Sequence, residues 1–295
     1  MIDLHMHSKY SDDGELSPNE IIKMCKNAGM KLVSITDHNS VLGVEEAINE
    51  GKKEGIEVLS GVELDCCYEG KMFHLLGYGF DHTRKEFLEI EQDIFRQEMN
   101  AAEEKISLFR SATGIPINTS DVMDAANGGI VTGELIAEIA LEIAPQHEIL
   151  KPYQPGGEKS DMPNVHLYWD YFSAGKPAYV PINYISLPDA KELNHSASGV
   201  SVLAHPWQNL ADDYDLLNRI LSEGITGIEI FSSYHPAEAK AGLLEIARLN
   251  KLLITCGSDF HGKNKPHINI GNHGATINDD EIKTGIHKFV HPRIV

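Results

Sequence analysis

The sequence predicts an α/β fold: a distorted seven-stranded barrel with helices outside and a small helical insertion. Three observations predict it. Short apolar, β-branched runs alternate with segments of helical period. One pair of runs is separated by only about nine residues centred on Glu69-Gly70, which is a hairpin and not a crossover helix, so the barrel is distorted there. A stretch of about residues 82 to 198, between the fourth and fifth runs, is too long for one strand-to-helix connection.

In chain order, the first strand is expected at 2–4, followed by a helix at 18–28. A strand at 31–36, a helix at 43–54 and strands at 57–62 and 72–77 come next. The long stretch opens with a charged helix at 84–110 and continues with helices at 119–126 and 133–143. A loop rich in Pro, Gly and charge covers 145–163, and a short helix covers 168–174. The expected division is therefore a first barrel part at 1–95, a helical insertion at 96–174 over one barrel end, and a second barrel part at 175–295. The last part holds strands at 199–204, 225–231 and 252–256, with helices at 212–223 and 236–250.

Composition limits the partners. The 295 residues are 42% hydrophobic and 23% charged, which is globular composition. Lys plus Arg is 25 and Asp plus Glu is 44, for a formal charge of -19. Such a surface repels long nucleic acid and anionic lipid, while a small phosphorylated substrate needs only a local cationic site. The four cysteines, Cys25, Cys66, Cys67 and Cys256, have no metal-knuckle or redox spacing, and low cysteine usage suggests a reducing compartment. The chain opens without the pattern of a signal peptide, and no window approaches 18 apolar residues. A cytoplasmic location is expected. Oligomeric state leaves no mark.

The 15 histidines are the unusual feature, and several stand at the expected strand ends. The first strand ends in His5-Met6-His7, whose imidazoles share a face of the extended chain. Five residues on is Asp12, in Ser11-Asp12-Asp13-Gly14. The second strand ends in Thr36-Asp37-His38, the third in Val62-Glu63, the fourth carries His74, and the fifth ends in Ala204-His205-Pro206. The last ends in Ser258-Asp259-Phe260-His261. Barrel enzymes place their chemistry where the C-terminal strand ends converge. Packed there without a cation, these groups would leave lone pairs unmatched and carboxylates repelling one another. Nine ligands suit two or three divalent ions, and imidazole with carboxylate but no thiolate suits Zn, Mn or Fe(II).

His5-x-His7, Thr36-Asp37-His38, Glu63, His74, Ala204-His205-Pro206 and Ser258-Asp259-x-His261 resemble the motifs of the polymerase and histidinol phosphatase (PHP) domain. The resemblance covers roughly 1 to 80 and 175 to 270, and it implies a distorted seven-stranded barrel. It implies one ion on His5, His7, Glu63 and Asp259, a second sharing Glu63 with His74 and His205, and a third on Asp12, His38 and His261. Asp12 rather than Asp13 is expected because it lies five residues after His7, as in the family. In some insert-bearing members a Gly-Arg-Pro-His-like helix start binds phosphate; here the matching stretch reads Val131-Thr132-Gly133-Glu134-Leu135.

The chemistry that fits is phosphoester hydrolysis of a nucleotide or sugar phosphate, with a metal-bridging hydroxide attacking phosphorus. Glu63 is the expected bridging group. Asp37 is expected to orient a ligand histidine, and His235 to protonate the leaving group. Tyr234, Lys263 and Lys265 are the expected substrate contacts. Two rival readings are an amidohydrolase-type C–N hydrolase, which bridges its metals with a modified lysine where this chain has Glu63, and a non-catalytic, metal-stabilised PHP module.

Overall fold

In the computed structural model, which describes residues 1–290, Glu69 and Gly70 both take positive φ, 47° and 76°. That is the backbone of a two-residue hairpin whose twist matches its strands. The strands it joins, Gly61–Tyr68 and Lys71–Tyr78, pair antiparallel throughout, from Gly61 opposite Tyr78 to Tyr68 opposite Lys71. The hairpin read from the sequence is thus present.

The strands among the described residues are β1 (Ile2–Asp3), β2 (Leu32–Ser34), β3 (Glu57–Leu59), β4 (Gly61–Tyr68), β5 (Lys71–Tyr78), β6 (Ile185–Ser186), β7 (Val200–Leu203), β8 (Gly227–Ser232) and β9 (Leu253–Gly257). They form two sheets, β1-β2-β3 and β6-β4-β5-β7-β8-β9, with nine strands where the sequence leads one to expect seven. One cause is the 57–62 run, which breaks at Ser60 into β3 and β4 on different sheets. A Cβ at Gly61 would lie 2.1 Å from Ser34 Oγ and 2.6 Å from the Ile35 carbonyl, so only glycine lets the chain cross so close to the end of β2. The two-residue β6, beside β4, is the other addition. All pairs except β4–β5 and β5–β7 are parallel. Isolated bridges, Met6 with Phe260 and His38 with Glu63 of β4, carry the pairing past the ends of β1, β9 and β2.

The helices are α1 (Pro18–Asn27), α2 (Val44–Glu54), α3 (Lys85–Thr113), α4 (Thr119–Ala126), α5 (Gly133–Ile143), α6 (Pro163–Tyr171), α7 (Leu187–Ser196), α8 (Pro206–Leu210), α9 (Tyr214–Ser222), α10 (Ala237–Leu249) and α11 (Asp279–Phe289). A capping box of Ser17 and Glu20 starts α1, satisfying backbone donors that the helix itself cannot. Amphipathic faces bury Ile21, Ile22 and Cys25 from α1, and Leu216, Leu217 and Ile220 from α9.

The described residues divide into two compact units, one of residues 1–90, 184–261 and 268–290, the other of 91–183 and 262–267. In the first, one apolar core holds Leu4, Val62, Leu75, Val202 and Ile228, and another packs Met6, Ile21 and Val33. The second has its own core, with Ile106, Phe109, Ile136, Leu167 and Phe172. All four cysteines are free thiols, and none belongs to a group able to hold a metal among the described residues. No helix among the described residues is long and apolar enough to cross a membrane.

Candidate metal centre

Beyond Asp3 the chain stays extended, held by bonds from Leu4 N–H to Cys256 O (3.0 Å) and from His7 N–H to Phe260 O (2.9 Å). Met6 is buried in an apolar core, so His5 and His7 turn together to the opposite side, as alternation requires. His5 Nε2 lies 3.1 Å from His7 Nε2, 3.0 Å from Glu63 Oε2 and 3.2 Å from Asp259 Oδ1. His7 Nε2 is 3.1 Å from both carboxylates. The other oxygen of Glu63 faces a second group, His74 Nδ1 at 2.9 Å and His205 Nε2 at 3.1 Å.

A third group joins His7, His38 and His261 with Asp13, not with Asp12. Asp13 Oδ2 is 2.8 Å from His261 Nε2 and 3.9 Å from His38 Nε2. Ser11 sets this turn: its Oγ donates to Asp13 Oδ1 (2.8 Å), accepts the His38 backbone N–H (3.2 Å), and lies 3.2 Å from His7 Nδ1. Gly14 completes it, since a Cβ there would lie 1.9 Å from the Ser8 carbonyl oxygen. Asp13 is therefore half-buried and turned inward while Asp12 is exposed, which corrects the choice made from spacing.

A fourth group was not anticipated: His38, Asp65 and His74. Asp65 lies two residues from Glu63 on the same face of β4, opposite His74 in the register. Its Oδ1 is 3.1 Å from His38 Nδ1 and 3.4 Å from His74 Nε2, and its Oδ2 accepts from Asn39 Nδ2 at 2.7 Å. Glu229 was also missed; on β8 its Oε1 is 3.0 Å from His5 Nδ1. A charged residue inside the apolar run Gly227-Ile228-Glu229-Ile230 was its only sequence signal.

The donor set fits divalent ions. Neighbouring ligands on an ion with bonds of about 2.0–2.1 Å lie roughly 3.0–3.4 Å apart, and the first group spans 3.0–3.2 Å. Outer acceptors fix the rings: His5 Nδ1 on Glu229, and His261 Nδ1 on the Asp259 carbonyl at 2.8 Å. Each Nε2 lone pair is thereby turned into the group. Lone pairs facing one another beside carboxylates require a cation or protons between them. These overlapping clusters are one or more divalent-metal sites.

The electrostatics agree. Burial pushes the His5 imidazole down, but Glu63, Glu229 and Asp259 outweigh it and raise it well above its ordinary value. Burial pushes Glu63 up, yet His5, His38, His74 and His205 hold it well below the carboxylate range. Asp13 is likewise opposed by burial and held well below by His261 and His38.

Other expected site residues lie differently. Asp37 accepts the Ser8 backbone N–H (2.5 Å) and hydroxyl (2.7 Å), so it anchors the loop after His7 rather than a ligand ring. Burial raises it to about 6, despite His7 and the Ser8 bonds. His235 is buried; its Nδ1 meets the Ile230 carbonyl at 2.8 Å and its Nε2 accepts the Trp207 N–H at 3.3 Å. With both nitrogens on the backbone, its ring has no lone pair or proton for a leaving group. The Tyr234 hydroxyl donates to Asp259 Oδ2 at 2.6 Å and orients that carboxylate. Lys263 pairs with Glu138 of α5 at 2.8 Å, and it and the half-buried Lys265 belong to the second compact unit.

A PHP domain is matched over residues 3–116, which takes in His5, His7, Asp13, His38, Glu63 and His74. A protein from Bifidobacterium adolescentis, assigned by inference as a metal-dependent phosphoesterase, has a solved structure that superposes with a TM-score of 0.79. It is 25% identical, and the match covers 99% of this chain and 97% of that one.

The chain has the PHP-domain phosphoesterase fold.

Among curated relatives, a 5′-3′ exoribonuclease of Haemophilus influenzae is 29% identical over 262 residues, 88% of this chain and 89% of that protein. A 3′,5′-nucleoside bisphosphate phosphatase of Chromobacterium violaceum is 28% identical over 278 residues, 92% of this chain and 90% of that protein. With its metal groups, this chain is a metal-dependent phosphoesterase acting on a small phosphate-containing molecule.

The packing of this metal centre leads to one expected result. A Cβ at Gly257 would lie 2.1 Å from His5 Cβ and 2.6 Å from Glu229 Oε1. Gly257→Ala should therefore push His5 out of line and lower stability by about 1–3 kcal/mol, the usual cost of overpacking. Denaturant midpoints and metal analysis check it; wild-type values for both would show that β9 shifts freely.

Proposed function

We propose that this chain hydrolyses a phosphate ester of a nucleotide or sugar phosphate at three divalent ions, Mn, Fe(II) or Zn. One would be held by His5, His7, Glu63 and Asp259, a second by Glu63, His74 and His205, and a third by Asp13, His38 and His261. The observation that carries this is Glu63, fully buried, with one oxygen on His5 and His7 and the other on His74 and His205. When bound, such ions lower the pKa of water toward neutrality and offset charge on phosphoryl oxygens.

The chain's own residues hold and aim. Tyr234 fixes Asp259, Ser11 fixes Asp13 and His7, and Asp65 takes the far nitrogens of His38 and His74. In the overall reaction water oxygen bonds to phosphorus and the ester oxygen leaves with a proton. Three ions would carry +6 into a protein of net charge -19, which reverses the local field and admits a phosphate. That overall charge favours a small ester over long RNA. The nucleoside bisphosphate phosphatase relative supports a nucleotide.

The test is phosphate or nucleotide release from nucleoside bisphosphates, sugar phosphates, cyclic phosphates and 5′-phosphorylated RNA. Each is assayed with excess EDTA and after Mn, Fe(II) or Zn is restored. Chelation should abolish release and metal should recover it. Turnover undiminished in EDTA would remove the metal mechanism. Metal-loaded protein inert toward every ester would remove the function, and turnover confined to RNA would remove the small-substrate reading.

A further inference from the structure

We propose that Glu229 is a positioning residue that holds ligands of two metal groups at once, His5 by its ring and His205 by its backbone. This rests on the metal binding proposed above but not on the substrate. Glu229 is fully buried on β8. Among the described residues it has no Lys or Arg partner; its ion-pair partner is His5. An unmatched buried carboxylate is costly, so its two hydrogen bonds must account for it. Oε1 is 3.0 Å from His5 Nδ1, and Oε2 accepts the His205 backbone N–H at 2.9 Å.

Each bond answers a specific need. A carboxylate can only accept, so His5 carries its proton on Nδ1 and turns its Nε2 lone pair toward His7, Glu63 and Asp259. His205 has φ 21° and ψ 56°, a backbone that a non-glycine residue rarely adopts. It also precedes Pro206, and its N–H is tied down by Glu229. The strained backbone aims Nε2 at Glu63 Oε1, 3.1 Å away. Gly257 leaves room for the carboxylate, since a Cβ there would lie 2.6 Å from Oε1. One side chain therefore fixes both a tautomer in the first group and a backbone turn in the second.

Glu229→Gln is nearly isosteric and breaks this arrangement. To keep the His205 N–H satisfied, the amide must give it the carbonyl and point its NH2 at His5 Nδ1. The His5 proton then moves to Nε2, the atom aimed at the metal. The reverse orientation sets two donors against each other at His205.

The experiment titrates metal-free wild-type and Glu229→Gln protein with Zn(II) alone, following 15N-labelled histidine resonances and competing with a chromophoric chelator. We expect binding reported by His5 and His205 to weaken about 10–100-fold, the scale of losing an outer partner. Binding reported by His261 should be unchanged, and the His5 proton should sit on Nε2 in the metal-free variant. Wild-type affinity with His5 still protonated on Nδ1 would overturn the proposal. So would equal weakening at His5, His205 and His261 together with a lowered unfolding midpoint of the metal-free protein, the pattern of a general structural role. If the glutamine variant does not fold, Glu229→Asp carries the test. It keeps the acceptor but withdraws it by one methylene, so His5 and His205 should bind more weakly with the tautomer retained, and wild-type affinity there would overturn the proposal. If wild-type protein binds Zn(II) but cleaves no phosphate ester, the function fails and the role of Glu229 is still decided by the titration.

Discussion

Glu63→Gln should lower turnover about a thousandfold and release the ions of two groups, the largest effect expected of any single carboxylate change. The side chain keeps its shape but loses its charge, and one of its two oxygens becomes an NH2. In the wild-type protein both oxygens sit within 3.1 Å of imidazole nitrogens, on different groups. An amide must therefore present donors to one group and a neutral acceptor to the other. The Glu63 side chain is fully buried, so bulk water cannot solvate its oxygens in place of the lost partners, and removing a main electrostatic group costs about 10²–10³ in rate on its own. Turnover on a cleaved ester and metal content by elemental analysis are the measurements. A glutamine variant with full metal and more than about a tenth of wild-type turnover would show that Glu63 does not join the two groups.

The second large effect separates two adjacent residues. Asp13→Asn should cost about a hundredfold in turnover, the lower end of the loss on removing one electrostatic clamp, with the His38 and His261 ion lost and the others kept. Asp12→Asn should change turnover by no more than about twofold, as exposed substitutions usually do. The reason is the turn: Ser11 Oγ bonds Asp13, and Asp13 Oδ2 reaches His261 Nε2 at 2.8 Å. If the asparagine at 12 is the damaging one, the inward residue of the loop has been misassigned.

That pair of aspartates shows where sequence reading stops. His5, His7, His38, Glu63, His205, Asp259 and His261 were legible because strand ends converge and alternation fixes which side chains share a face. Asp12 and Asp13 sit in a turn, where the direction of a side chain depends on Ser11 and Gly14 contacts made across the loop. Asp65 obeys the same alternation as Glu63; its place in the site emerges only when the register sets it opposite His74. Glu229 lies mid-strand, away from the strand ends. His235 was misleading for the opposite reason: it follows a strand end, yet both ring nitrogens are taken by backbone groups. The hairpin was legible from Glu69-Gly70, whereas the division into two sheets was not. The break at Ser60 falls beside the close passage of Gly61 across the end of β2, which no pattern of apolar residues records.

The hairpin also ties the metal groups to a turn that holds no ligand. Glu63 and Asp65 come from one arm and His74 from the other, and they meet only because Asp65 stands opposite His74. Side chains alternate faces along each arm, so a slip of a single residue would carry His74 to the wrong side of the sheet. The two residues Glu69-Gly70 thus work as a spacer of fixed gauge. Arg219, gripping the Glu69 carboxylate at 2.9 and 3.0 Å, clamps that gauge from outside. A surface tip of this kind ordinarily accepts insertions; here its length is calibrated by a reaction centre four residues down the ladder from Glu69.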